Sequence, residues 1–248
     1  MFKKIAALSI SILILSSAYA EEKADAKKIL SRMDDEYNKH KDLELLMTVT
    51  LYSDGKEEKV IKAKNQQKGG QKRLLRMLEP GDIAGMAILS EDADTMYVYL
   101  PKYERIRRVA AHARKNSFMG SDFTEQEMGI LRYDAVFDPE LKETTDKEYK
   151  LLLKPKPGRE FEADHLLMWI DKKTNLFNKV EYYGKEGVKL KTQFRSKPKK
   201  VGPGWVQTNV KMVDHQKNHS TVMEFSDIKA DQGLPDKLFT RRNLEWGE

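Results

Sequence analysis

The sequence predicts a mainly β protein built on one strongly curved antiparallel sheet with few helices. Three observations carry this expectation. Apolar residues recur at every second position through most of the chain, short turns rich in Gly, Pro, Asn and Asp separate those runs, and only three segments carry helical signals. A meander with one apolar face must cover that face, and so few helices over so large a sheet leave a groove or cavity.

The first residues read as an export signal. Phe2, Lys3 and Lys4 form a short cationic start, residues 5–15 an apolar run too short to span a bilayer, and Ala18-Tyr19-Ala20 fits a small-x-small cleavage site. The expected mature chain, 21–248, is a single soluble domain in the periplasm. It has no cysteine, which excludes disulfides and an acylated N-terminal Cys. Losing the two signal lysines takes the formal charge from +6 to +4. That mild, interspersed charge does not suit a nucleic-acid partner.

A helix is expected over 23–40. Ile29, Leu30, Met33 and Tyr37 recur at three-to-four spacing, with Glu21, Glu22 and Asp25 at the positive end of the helix dipole and Lys39, His40 and Lys41 at the negative end. The period then changes to two. Leu45, Met47, Val49 and Leu51 alternate with Glu44, Leu46, Thr48 and Thr50, and Asp54-Gly55 marks a hairpin turn. Eleven strands follow from such runs: 45–51, 57–68, 72–78, 87–90, 95–100, 148–154, 163–171, 176–183, 188–196, 205–214 and 221–229. Residues 135–150 read as a long connection into the sixth of these, and Pro235–Phe239 as a helical turn.

The segment from Tyr97 to Met128 stands apart. A tyrosine strand gives way to a cationic run (Lys102, Arg105, Arg107, Arg108, Arg114 and Lys115 against the single acid Glu104), then to an amphipathic helix start near 122–131. Gly120 supplies a hinge, and Thr124 with Glu127 has capping-box spacing. The tyrosine strand is expected to form part of the cavity wall, with Tyr97 and Tyr99 competing with Met96 and Val98 for its interior face, as Trp169 competes with Met168 and Ile170, and 118–128 is expected as a movable lid. Arg105, Arg107 and Arg108 have two readings: a grip on an anionic headgroup or acidic docking partner, or a solvated edge strand made basic against aggregation.

Catalysis finds little support. There is no G-x-S-x-G, no Cys nucleophile and no Gly-rich phosphate loop, and the one H-x-x-x-H pair, His215 and His219, falls across a hairpin turn. The residues predict no catalytic group, no metal site and no cofactor other than a bound lipid or acyl chain.

The blocks YVYLPKYERIRRV (97–109), SFMGSDFT (117–124), LLMWIDKKTNLFNKVEYYGKEGVKLKT (166–192) and GLPDKLFTRR (233–242) make the chain resemble the LolA-like family of outer-membrane lipoprotein-sorting proteins. It is most similar to the subgroup encoded beside RND-superfamily lipid exporters. The resemblance spans about 25–243, and the chain departs from the founding carrier in its greater length, its Arg-rich block and the 135–150 connection. It implies an unclosed half-barrel with helices as a lid over its concave apolar face, and a cavity that takes acyl chains. It further implies a monomeric carrier with an acylated lipoprotein, a phospholipid or a terpenoid as cargo, transient membrane contact and an exporter as partner. An accessory or lipid-sensing subunit docked on such an exporter is the alternative.

Shielding acyl chains explains the residue choice. Each methylene removed from water is worth about 0.8 kcal/mol, and methionine, of which ten lie after residue 20, adapts to mobile chains. The strand residues expected in the cavity are Leu45, Met47, Val49, Leu51, Met96, Val98, Met168, Ile170, Val180, Tyr182, Val210, Met212, Met223 and Phe225. The lid contributes Phe118, Met119, Phe123 and Met128. A register slip of one residue would reverse any strand's set.

Overall fold

The alternating runs pair into one 13-stranded antiparallel sheet in a computed structural model, which describes residues 25–92 and 94–246. The expected signal segment, 1–20, lies outside the described residues. Helix α1 (25–37) precedes β1 (Asp42–Ser53), β2 (Lys56–Lys68), β3 (Lys72–Glu79), β4 (Ala87–Ser90), β5 (Met96–Leu100) and β6 (Arg105–Arg108). A short α2 (Glu125–Gly129) leads to β7 (Phe137–Thr144), β8 (Glu148–Pro155), β9 (His165–Asp171) and β10 (Phe177–Tyr183). The chain continues through β11 (Lys189–Val201), β12 (Gly204–Asp214) and β13 (His219–Ala230) to α3 (Arg241–Trp246).

The strand order is β6-β5-β4-β3-β2-β1-β13-β12-β11-β10-β9-β8-β7. Every neighbouring pair is consecutive in sequence except β1 with β13, which joins the two halves. The sheet is therefore open, an unclosed half-barrel with β6 and β7 as its edges. Those edges are joined directly by 109–136, so that segment has to cross the face between them.

Local chemistry sets the register. Asp54 and Gly55 both take positive φ, 50° and 76°. The two-residue turn between Ser53 and Lys56 thus matches the right-handed twist of its strands. From there Leu45, Met47, Val49 and Leu51 all point to one face, where Ala26, Ile29, Leu30 and Met33 of α1 meet them in the main core.

Two expectations need correction. The sheet has thirteen strands where eleven were expected, because β6 and β7 are edge strands with weak patterns. β6 has four residues with Ile106 as its single apolar one, and β7 lies inside the 135–150 stretch read as a connection. Pro139 sits within β7, where an edge position leaves its missing N–H without a ladder cost. In β5 the tyrosines, which compete with Met96 and Val98 for the interior, lie on the other face. The alternate residues take the covered face, where Met96 lines a space beneath the lid and Val98 packs on the main core, and the two tyrosines pack on the opposite one with Leu74, Ala87, Leu89, Leu238, Phe239 and Leu244. That second cluster is closed by the C-terminal segment, in which α3 was not foreseen. Arg76 fastens α3 by donating to the Asn243 carbonyl at 3.0 Å, and buried Asp42 accepts the backbone N–H groups of Gln232, Gly233 and Leu234 at 2.8, 2.9 and 3.1 Å.

Candidate lipid cavity and its lid

Residues 109–136 form the lid. Gly120 turns the chain at φ 86°, beside Met119 at φ 56°, and the tight loop drives both Phe118 and Phe123 into the core. Thr124 caps α2 in a full capping box: its hydroxyl accepts from Glu127 N at 3.1 Å while its own N–H donates to Glu127 Oε2 at 2.8 Å. The Glu127 carboxylate is held in turn by Lys191 Nζ at 3.0 and 3.2 Å, and Lys191 also reaches Glu162 at 2.7 Å. Burial works against the Lys191 ammonium, but the two carboxylates outweigh it and raise its pKa.

Polar contacts tie the lid down along its length. Asp122 is the first, bridging to β13: its N–H donates to Thr221 Oγ1 at 2.9 Å, and its carboxylate takes Thr221 Oγ1 and His219 Nδ1, each at 2.7 Å. Arg73 donates to the Met128 carbonyl, and Asn38 Nδ2 to the Leu131 carbonyl at 2.9 Å. Asp34 of α1 accepts the N–H groups of Tyr133 and Asp134 at 2.9 and 2.7 Å.

Asp122→Ala removes both carboxylate bonds, to His219 and Thr221, in one buried place. It should cost about 1–3 kcal/mol, concentrated in the lid. Hydrogen exchange should show faster exchange at 117–129 with little change in β11 to β13.

Asp34 gives the lid's far end a pH dependence. Burial pushes its carboxyl up to about 7, against the backbone amides of Asp134 and Tyr133 that favour the charged form. A raised folded-state pKa means the native state holds the proton more tightly, so this contribution to stability is complete below about pH 3.8 and is lost as pH rises through about 7. Asp34→Asn should flatten that part of the slope. Thermal unfolding of the two proteins between pH 5 and 8 checks it.

Beneath the lid lies a cavity of ≈ 150 Å³. Of the residues expected from the sequence, Leu45, Met47, Phe123, Met128, Tyr182, Val210, Met223 and Phe225 line it. Met96, Phe118 and Met128 line a neighbouring space of ≈ 20 Å³. Val49, Leu51, Val98, Met119, Met168, Ile170, Val180 and Met212 share the same core cluster but line neither space. Arg105, Arg107 and Arg108 are exposed on edge strand β6, away from the cavity, and Arg108 borders a surface cleft with Arg241, Arg242 and Glu245.

The sequence reading missed the polar half of the cavity. Asn65, Gln67, Arg73, Gln193, Arg195 and Gln207 line it beside the apolar residues. The Arg195 guanidinium lies 4.6 Å from the Phe177 ring centroid and 5.3 Å from that of Tyr37. Burial pushes Arg73 down to about 10, and the nearby Arg195 charge acts in the same direction. The signal was present in the alternation. Arg73 holds the phase that Leu75 and Met77 continue, and Lys191, Gln193 and Arg195 occupy the covered phase of β11.

Comparison with known proteins agrees with this architecture. A family model described as "Uncharacterized protein" matches residues 69–246, well over half the chain. No curated protein matches it. A DUF1329 family protein from Desulfovibrio piger shares 25% identity at a TM-score of 0.81, over 90% of this chain and 99% of its own. A Vibrio parahaemolyticus domain named for outer membrane lipoprotein sorting shares 22% at 0.78, over 90% and 99%. A LolA superfamily protein from Nitrosomonas europaea shares 21% at 0.73, over 88% and 98%. The chain belongs to the family of the matching model, and its fold is that of the LolA-like lipoprotein-sorting proteins.

Proposed function

We propose that the protein is a periplasmic carrier that shields the acyl chains of a lipid or lipoprotein beneath its lid and moves them toward the outer membrane. The carrying observation is the crossover at 109–136, a segment fastened by polar contacts over a cavity whose far wall is Leu45, Met47, Val210, Met223 and Phe225. A cavity of ≈ 150 Å³ is smaller than the roughly 300–1,000 Å³ typical of ligand sites. Loading therefore requires the lid to lift, and the closed form is the state before uptake. Among the described residues no helix is long and apolar enough to cross a membrane, in keeping with a carrier that touches membranes transiently.

Arg105, Arg107 and Arg108 give this carrier a cationic edge for an acidic exporter surface or anionic headgroups. The same exposed edge, extended by Arg241 and Arg242 of α3, favours a second reading, an accessory subunit that stays docked on an RND-family exporter. Native mass spectrometry of the protein purified from its periplasm separates the two. Bound lipid that exchanges with added vesicles supports the carrier, and a persistently empty protein bound to an exporter supports the subunit.

A further inference from the structure

We propose that the cavity takes an amphiphile by its anionic end, with a carboxylate or phosphate oxyanion seated between Arg73 and Arg195 and the chain lying along Met47, Met223 and Phe225. This rests on the carrier reading and adds the chemical class of the cargo.

Arg73 stands on β3 and Arg195 on β11, with four strands, β2, β1, β13 and β12, between them in the sheet. Curvature brings both into the same cavity from opposite flanks. A pure acyl-chain slot has no use for them, since a buried guanidinium without a counter-charge is costly.

The nearby acids are already engaged. Glu127 is held by Lys191 and the N–H of Thr124, and Asp34 by two backbone amides. Arg73 meets neutral oxygens, the carbonyl of Met128 and Oε1 of Gln67 at 3.4 Å, and Arg195 lies against aromatic rings. The Nε–H of each is buried with no acceptor. Two guanidiniums with unused donors on one cavity supply the donors that a planar carboxylate or a phosphate takes. The Arg73 contact to Met128 also means that an anion recruiting this side chain competes with one of the lid's fastenings, so headgroup entry and lid release are linked.

The test is calorimetric titration of the delipidated, full mature protein with dodecanoate, dodecyl phosphate and dodecanol, which share a chain and differ at the head. At least one anionic probe should bind tenfold or more tighter than dodecanol. Preference for dodecanoate points to a fatty-acid source, and preference for dodecyl phosphate to a phospholipid-type source. In Arg73→Gln/Arg195→Gln the anionic advantage should shrink below threefold while dodecanol affinity is kept, which also reports a folded cavity. Equal binding of all three probes by the wild-type protein, or an undiminished preference in the double variant, overturns the proposal and leaves the carrier reading standing. Binding of none overturns both. If the double variant does not fold, the wild-type comparison still decides, with Arg73→Lys/Arg195→Lys expected to keep the charge preference in weakened form.

Discussion

Phe177→Ala is expected to lower folding stability by about 3–5 kcal/mol, toward the upper end for an aromatic core truncation. Phe177 is 1% exposed and is the hub of the polar half of the cavity. Its ring centroid is 5.2 Å from Tyr37 and 5.5 Å from Tyr133, the latter edge-on, and it carries the Arg195 guanidinium on its face. Truncation opens a void beside an existing cavity of ≈ 150 Å³, so neighbours have little to collapse against, and it strips Arg195 of the nearer of its two ring contacts. Urea unfolding should show a lower midpoint with an unchanged m-value. A loss below about 1 kcal/mol would mean that the aromatic cluster is not cooperative with the core.

The second large effect is functional. Val210→Trp places an indole in the centre of the apolar wall, where Val210 pairs with Met223 across β12 and β13. The free volume is too small to hold both the indole and a chain, so acyl-chain affinity should fall more than tenfold. Overpacking typically costs about 1–3 kcal/mol, less than the stability of an ordinary domain, and the protein should remain folded. Displacement of a fluorescent fatty acid, with circular dichroism as the folding check, reads both at once. Retained affinity would place the chains elsewhere than beneath the lid.

How much of this was legible in the sequence varies by element. The long strands were, because apolar alternation and turn residues such as Asp54-Gly55 act locally and agree with the global register. The lid's capping box was too, since Thr124 and Glu127 need only each other and the spacing between them. The edge strands β6 and β7 were not. One is nearly all charge and the other contains Pro139, so neither carries a pattern that distinguishes an edge from a loop. The phase of Tyr97 was ambiguous because a strand covered on both sides loses clean alternation, and for β5 the second cover is α3, a tertiary partner. The polar half of the cavity escaped for a related reason: Arg73 and Arg195 are 122 positions apart in sequence, and only the curvature of the sheet makes them neighbours.

The central claim is that the protein carries acyl lipid through water beneath its lid. The most direct test is transfer of a pyrene-labelled phospholipid from donor to acceptor vesicles held apart by a dialysis membrane that passes the protein. Transfer should rise in proportion to protein concentration and return to the spontaneous rate with Val210→Trp. A rate indifferent to added protein, with no lipid found on the protein recovered from the acceptor side, would contradict the account.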